Sequence, residues 1–137
     1  MYAPVLFRDR SRPMQGVLGG LVPATIGALA GVLLGVSAAG YWATAALAAV
    51  GGFLAGFEHR DGRGGAGRGV FAGAVYGIAL LVAHAIAGTH AKVSLGGFPP
   101  LLVVLTAIIG MLLSAAGGWI ARSQRRRHRS TIDQLRA

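Results

Sequence analysis

Four long stretches of this chain carry no Asp, Glu, Lys or Arg, and clusters of arginine separate them in alternation. The stretches run over 14–37, 40–57, 70–87 and 98–121. A bilayer core of about 30 Å takes roughly 20 apolar residues in a helix, so each is long enough to cross or close to it. Arg8, Arg10 and Arg12 precede the first. Arg60, Arg63 and Arg68 lie between the second and third, and Arg122, Arg125, Arg126, Arg127, Arg129 and Arg136 follow the fourth. Of the 13 basic residues only Lys92 falls in another gap, between the third and fourth. The positive-inside rule then predicts four spans with both termini in the cytoplasm.

Composition agrees. Charged residues make up 12% of the chain, against about a quarter in soluble domains, and mean hydropathy is +0.62. With no cysteine, disulfides and thiolate chemistry are excluded. Asparagine is absent, lysine occurs once, and Ala, Gly and Arg abound. That bias points to a GC-rich genome of actinobacterial or haloarchaeal type, and so to a prokaryotic cell membrane. The expected fold is all-α: a polytopic membrane protein of four helices in two tightly packed hairpins. Residues 1–121 form the membrane domain and 122–137 a basic cytoplasmic tail. Only Ala38 and Ala39 join the first two spans. The segment 58–69 reads as a Gly/Arg-rich loop too polar to be buried.

Tyr41, Trp42 and Phe98 stand at expected outer ends of spans, and Phe57 and Trp119 at inner ends, where amphipathic rings collect. Pro99 and Pro100 suit a helix start, and Pro23 is expected to bend the first helix. Arginines followed by an apolar run ending Val36-Ser37-Ala38 also fit a secretory signal with small residues at the cleavage site. That run exceeds the usual hydrophobic region of about 7 to 15 residues, which favours an uncleaved span. A weak internal repeat pairs 50–55 with 116–121, and 16–20 with 69–73, as parallel hairpin repeats would; chance matching of Ala/Gly-rich helices explains it equally well.

Small residues recur at steps of four and three. Gly16, Gly20, Ala24, Gly27, Gly31 and Gly35 mark the first helix, and Ala45, Ala49, Gly52 and Gly56 the second. Gly69, Gly73 and Gly77 mark the third, and Gly110, Ser114, Gly117 and Ala121 the fourth. In lipid, such faces let backbones approach closely, which drives helix association. They serve packing within one chain, self-association, or both.

His84 is the only ionisable side chain well inside a span. It reads as a polar or pore-lining candidate together with Tyr76 and Thr106, or as an interfacial histidine. His84 with His90 makes too thin a donor set for a metal, and none is expected. Thr25, Thr44, Thr106 and Ser114 can return hydrogen bonds to their own helices. Arg122, Arg125, Arg126, Arg127 and Arg129 are candidate contacts for anionic lipid headgroups, and nucleic-acid binding is not expected. The carboxylates Asp9, Glu58, Asp61 and Asp133 all lie outside the four stretches. No catalytic residue or cofactor motif is visible, so the chain does not read as an enzyme.

In size and layout the chain resembles small multidrug resistance exporters and dual-topology fluoride channels. It lacks the first-span glutamate of the former, and the membrane asparagine and Thr-Phe-Ser run of the latter. It is more similar to glycine-rich four-span membrane proteins of unknown function in haloarchaea and actinobacteria. Gly51-Gly52-Phe53-Leu54-Ala55-Gly56-Phe57, the Gly/Arg segment, and Gly69-Val70-Phe71-Ala72-Gly73 carry that resemblance. It implies a fold and no activity. The expected role is a scaffold or accessory subunit that packs against itself or a larger complex. The alternatives are a small oligomeric channel or transporter, and a holin-like permeabilising protein.

Overall fold

The computed structural model describes residues 9–59 and 62–136, and side chains as far as Arg125. Four helices dominate it: α1 (Arg12–Val36), α2 (Ala38–Gly56), α3 (Gly62–Ala87) and α4 (Leu101–Arg136). All four are long and apolar enough to cross a membrane, and no strand occurs among the described residues. The helices form a ring in which α1 lies beside α3, α3 beside α4, α4 beside α2 and α2 beside α1.

The interior is built from small groups and the exterior from large ones. Leu29, Leu47, Val50, Ile78, Val82 and Ile109 are all half exposed or more. The buried core, Ala30, Leu34, Tyr41, Tyr76 and Leu80, joins α1, α2 and α3 toward the end away from the arginines. This inverts a soluble protein and suits a surrounding apolar solvent, where helices associate by close approach rather than by hiding leucine.

The α3–α4 contact steps evenly. A Cβ added at Gly65 would strike the Ser114 carbonyl, one at Gly69 the Gly110 carbonyl, and one at Gly73 the Thr106 carbonyl. At Gly77 it would meet the Thr106 hydroxyl and Val103. Each step of four along α3 thus matches a step of three or four back along antiparallel α4. On α1, an added Cβ at Gly27 or Gly31 would strike the Tyr76 or Leu80 carbonyl in the same manner, and one at Gly35 the Thr89 side chain.

Two boundaries differ from the sequence expectation. The segment 62–69, read as a polar loop, forms the first two turns of α3, and Gly65 and Gly69 are buried there. Glycine disfavours helix by about 1 kcal/mol, but here it admits the α4 backbone, and tertiary packing prevails. At the other end, α4 does not stop near Ala121. Its 36 residues span about 54 Å at 1.5 Å each, so the basic segment continues the helix beyond bilayer thickness.

Pro23 acts through a change of helical type. Residues Val17–Leu21 form a π-helical turn inside α1, with Val22 N–H donating to the Val17 carbonyl. Proline has no N–H and crowds the carbonyl four residues earlier, so a wider turn ahead of it relieves the clash. The extra residue rotates what precedes it. Gly16 and Gly20 therefore do not continue the face of Gly27, Gly31 and Gly35, and an added Cβ at either meets nothing within 4 Å.

Candidate functional site

The π turn has a chemical consequence. In that register the Leu18 carbonyl faces Pro23, which has no hydrogen to donate. Arg68 Nη2 donates to that carbonyl at 3.1 Å instead. Arg68 Nη1 also pairs with Glu58 Oε2 at 3.3 Å, and Arg10 Nη2 with Glu58 Oε1 at 2.8 Å. Only 10% of the Arg68 side chain is exposed, so this arginine is built into the bundle rather than placed on a loop surface. Nearby, Arg125 Nη2 donates to the Phe57 carbonyl at 3.2 Å, tying α4 to the end of α2. One carboxylate thus balances two guanidiniums where the starts of α1 and α3 and the end of α2 converge.

From this cluster a cleft of about 560 Å³ runs between the four helices. Glu58 and Arg68 line its charged end, and Tyr41, Tyr76 and Leu102 its far end. Much of its wall comes from small residues of α2: Ala45, Ala48, Ala49, Gly51, Gly52 and Ala55. The course of α2 explains the space. Near its start it meets α1, where an added Cβ at Gly40 would touch Leu33, and Tyr41 joins the core. Near its end it meets α4: Ser114 Oγ donates to the Gly52 carbonyl at 2.7 Å, and Gly56 faces Ser114 and Gly117. On the cleft side, an added Cβ at Gly51 or Gly52 finds open space, even though the Gly52 carbonyl is held by Ser114.

Of the sequence candidates, Tyr76 and Thr106 come together on the cleft wall. The Thr106 hydroxyl donates to the Leu102 and Val103 carbonyls, both at 3.0 Å, so its proton is engaged. The Tyr76 hydroxyl is buried with no hydrogen-bond partner. His84 stands apart, in a separate hollow of about 470 Å³ with Leu81, Leu95 and Pro100. Its Nδ1 is also buried without a partner. Among the described residues no group of three or more His, Cys, Asp or Glu could hold a metal.

Thr25 and Thr44 bond back to their own helices, at 2.9 Å to Leu21 and 2.8 Å to Tyr41, as expected. Ser114 does not; its hydroxyl crosses to α2. Ten of the eleven glycines read as packing positions divide unevenly. Gly27, Gly31, Gly35, Gly56, Gly69, Gly73, Gly77, Gly110 and Gly117 meet a neighbouring helix or the outer loop, whereas Gly20 has an open side. Gly52, the eleventh, faces the cleft. Among the lipid-contact candidates Arg122 is exposed, and the side chains of Arg126, Arg127 and Arg129 lie outside the described ones, as do Arg8 and Arg60.

Sequence reasoning missed Glu58 and Arg68 as wall residues by placing both in a solvated loop. Pro23 was the available signal: a proline inside a span frees a carbonyl, which needs a donor. Comparison with protein-family profiles, with curated protein sequences and with solved structures finds no match for this chain.

Proposed function

We propose that this chain is a non-enzymatic multi-pass protein of a prokaryotic cell membrane, with both termini cytoplasmic, that works as a scaffold or accessory subunit. It packs against a copy of itself or a partner helix in a larger complex. The uneven use of small residues carries this reading. Most glycines on the helix faces meet another helix, but Gly16 and Gly20, four apart on α1, meet nothing within 4 Å. An idle glycine in a helix costs about 1 kcal/mol relative to alanine, and a pair four apart is what a close helix–helix contact in lipid uses. The arginines at one end of the bundle support the orientation. The test is the mass of the full chain in nanodiscs. Assembly in the wild type, reduced to single copies by Gly20→Leu with helicity unchanged, is the expected result. A wild-type protein that runs as single copies overturns the reading.

The cleft favours a second reading, a small channel or transporter. Within one copy it ends near Leu34 and Leu80, both fully buried, so a path for ions needs several copies or a movement of α2. Flux of protons, ions or small solutes from liposomes holding only this protein is the measurement that separates this reading, and the holin-like one, from a scaffold.

A further inference from the structure

We propose that the cleft is a lipid site: it holds one acyl chain of an anionic bilayer lipid, with the headgroup at Arg68 and Arg10. Two independent features point there. The first is size. A methylene is comparable in volume to a water, about 30 Å³, so a cleft of about 560 Å³ accommodates a single chain of bilayer length. The second is charge. Glu58 and Arg68 line the end of the cleft, and Arg10, behind them, pairs with the same carboxylate, so one carboxylate is held between two guanidiniums. An anion is favoured there and a cationic amphiphile is not. Arg10 Nε is moreover buried without a partner.

Tyr76, 8% exposed, lines the far end of the cleft, where the tail of such a chain would lie. Its Cα lies eight residues, about 12 Å, along α3 from Arg68. The second chain of the lipid stays in the bilayer, since the cleft wall includes Trp42, itself 60% exposed.

The experiment uses the full-length protein in nanodiscs of equal phosphatidylglycerol and phosphatidylcholine, transferred to mild detergent for native mass spectrometry. One phosphatidylglycerol retained per chain is expected, preferred at least about fivefold over phosphatidylcholine, as a single nearby arginine provides. Gly52→Leu fills the cleft where an added Cβ meets nothing, and lowers retention about tenfold or more with helicity and melting unchanged. Ala49→Leu fills the same space and serves if Gly52→Leu folds poorly. Arg10→Gln reduces the headgroup preference about fivefold while leaving the chain bound. Equal retention by wild type and both filled variants overturns the proposal. Equal retention of the two lipids, or a neutral isoprenoid in place of phosphatidylglycerol, overturns it as well.

Discussion

The α3–α4 seam and the inner face of α2 have nearly the same composition and opposite structures. Both are rich in glycine and alanine at helical spacing. Along the seam, an added Cβ at Gly65, Gly69 or Gly73 would meet a backbone carbonyl of α4. On α2, Ala45, Ala49, Gly51 and Gly52 border the cleft. The difference lies in the partner. α4 presents Ser114, Gly110 and Thr106 at steps of four that match α3, so the two backbones stay close over more than two turns. α2 crosses from α1 to α4 and finds a small partner only near its end, at Gly117. A small residue permits close approach and does not cause it; matched spacing on the neighbour does.

The largest expected effect breaks the symmetry of composition outright. Gly69→Leu drives a side chain into the Gly110 backbone, which has no rotamer by which to move aside. Overpacking ordinarily costs about 1–3 kcal/mol, and a backbone collision belongs at or above the top of that range. Thermal unfolding in detergent should show a greatly lowered midpoint or no folded protein, while Gly52→Leu melts near wild type. Gly31→Leu, which faces the Leu80 carbonyl, should fall with Gly69→Leu and well below Leu33→Ala. Equal melting of Gly69→Leu and Gly52→Leu would leave the comparison without content.

The four long apolar helices were legible because hydropathy and charge act locally and additively. Gly27, Gly31, Gly69 and Gly110 were legible as packing positions because helical spacing alone puts them on faces. What the sequence could not show was register between helices. Gly20 continues the stripe of Gly27 on paper, but the π turn before Pro23 rotates it away. Gly52 belongs to the stripe of Gly56, but only its carbonyl meets α4, and its open side lies on the cleft. Arg68 looked like a loop residue because the Gly/Arg-rich segment around it is too polar to be buried, whereas close packing against α4 holds that segment in a helix. The cleft combines these three departures, so no single segment announces it.

An intermediate effect tests how the two regions are joined. Arg68 links α3 to the Leu18 carbonyl and to Glu58. Arg68→Ala leaves both acceptors short of a donor, at a cost of about 1–3 kcal/mol for each group that stays buried. Pro23→Ala restores an N–H at the position that the Leu18 carbonyl faces. If the proline creates the need that Arg68 meets, Arg68→Ala should cost less in the Pro23→Ala background. A double-mutant cycle on chemical or thermal unfolding should give a coupling of about 0.5–3 kcal/mol. Strictly additive effects would mean that Arg68 serves Glu58 alone.

The smallest effect is the most discriminating, because its sign and not its size carries the information. At Gly51 an added methyl group meets nothing, and alanine favours helix over glycine by up to about 1 kcal/mol. Gly51→Ala should therefore stabilise slightly. At Gly110 the same methyl group strikes the Gly69 carbonyl, so Gly110→Ala should destabilise despite the identical gain in propensity. Gly20→Ala lies between them by design of the comparison. In dilute single copies it should behave like Gly51→Ala, since nothing in the bundle faces it. Where chains assemble through α1 it should behave like Gly110→Ala, because a methyl group then separates two backbones. Measuring the sign for Gly20→Ala at low and high protein-to-lipid ratio locates that glycine on one side of the comparison. A change of sign with concentration is the signature of an α1 interface, and a constant positive sign removes it.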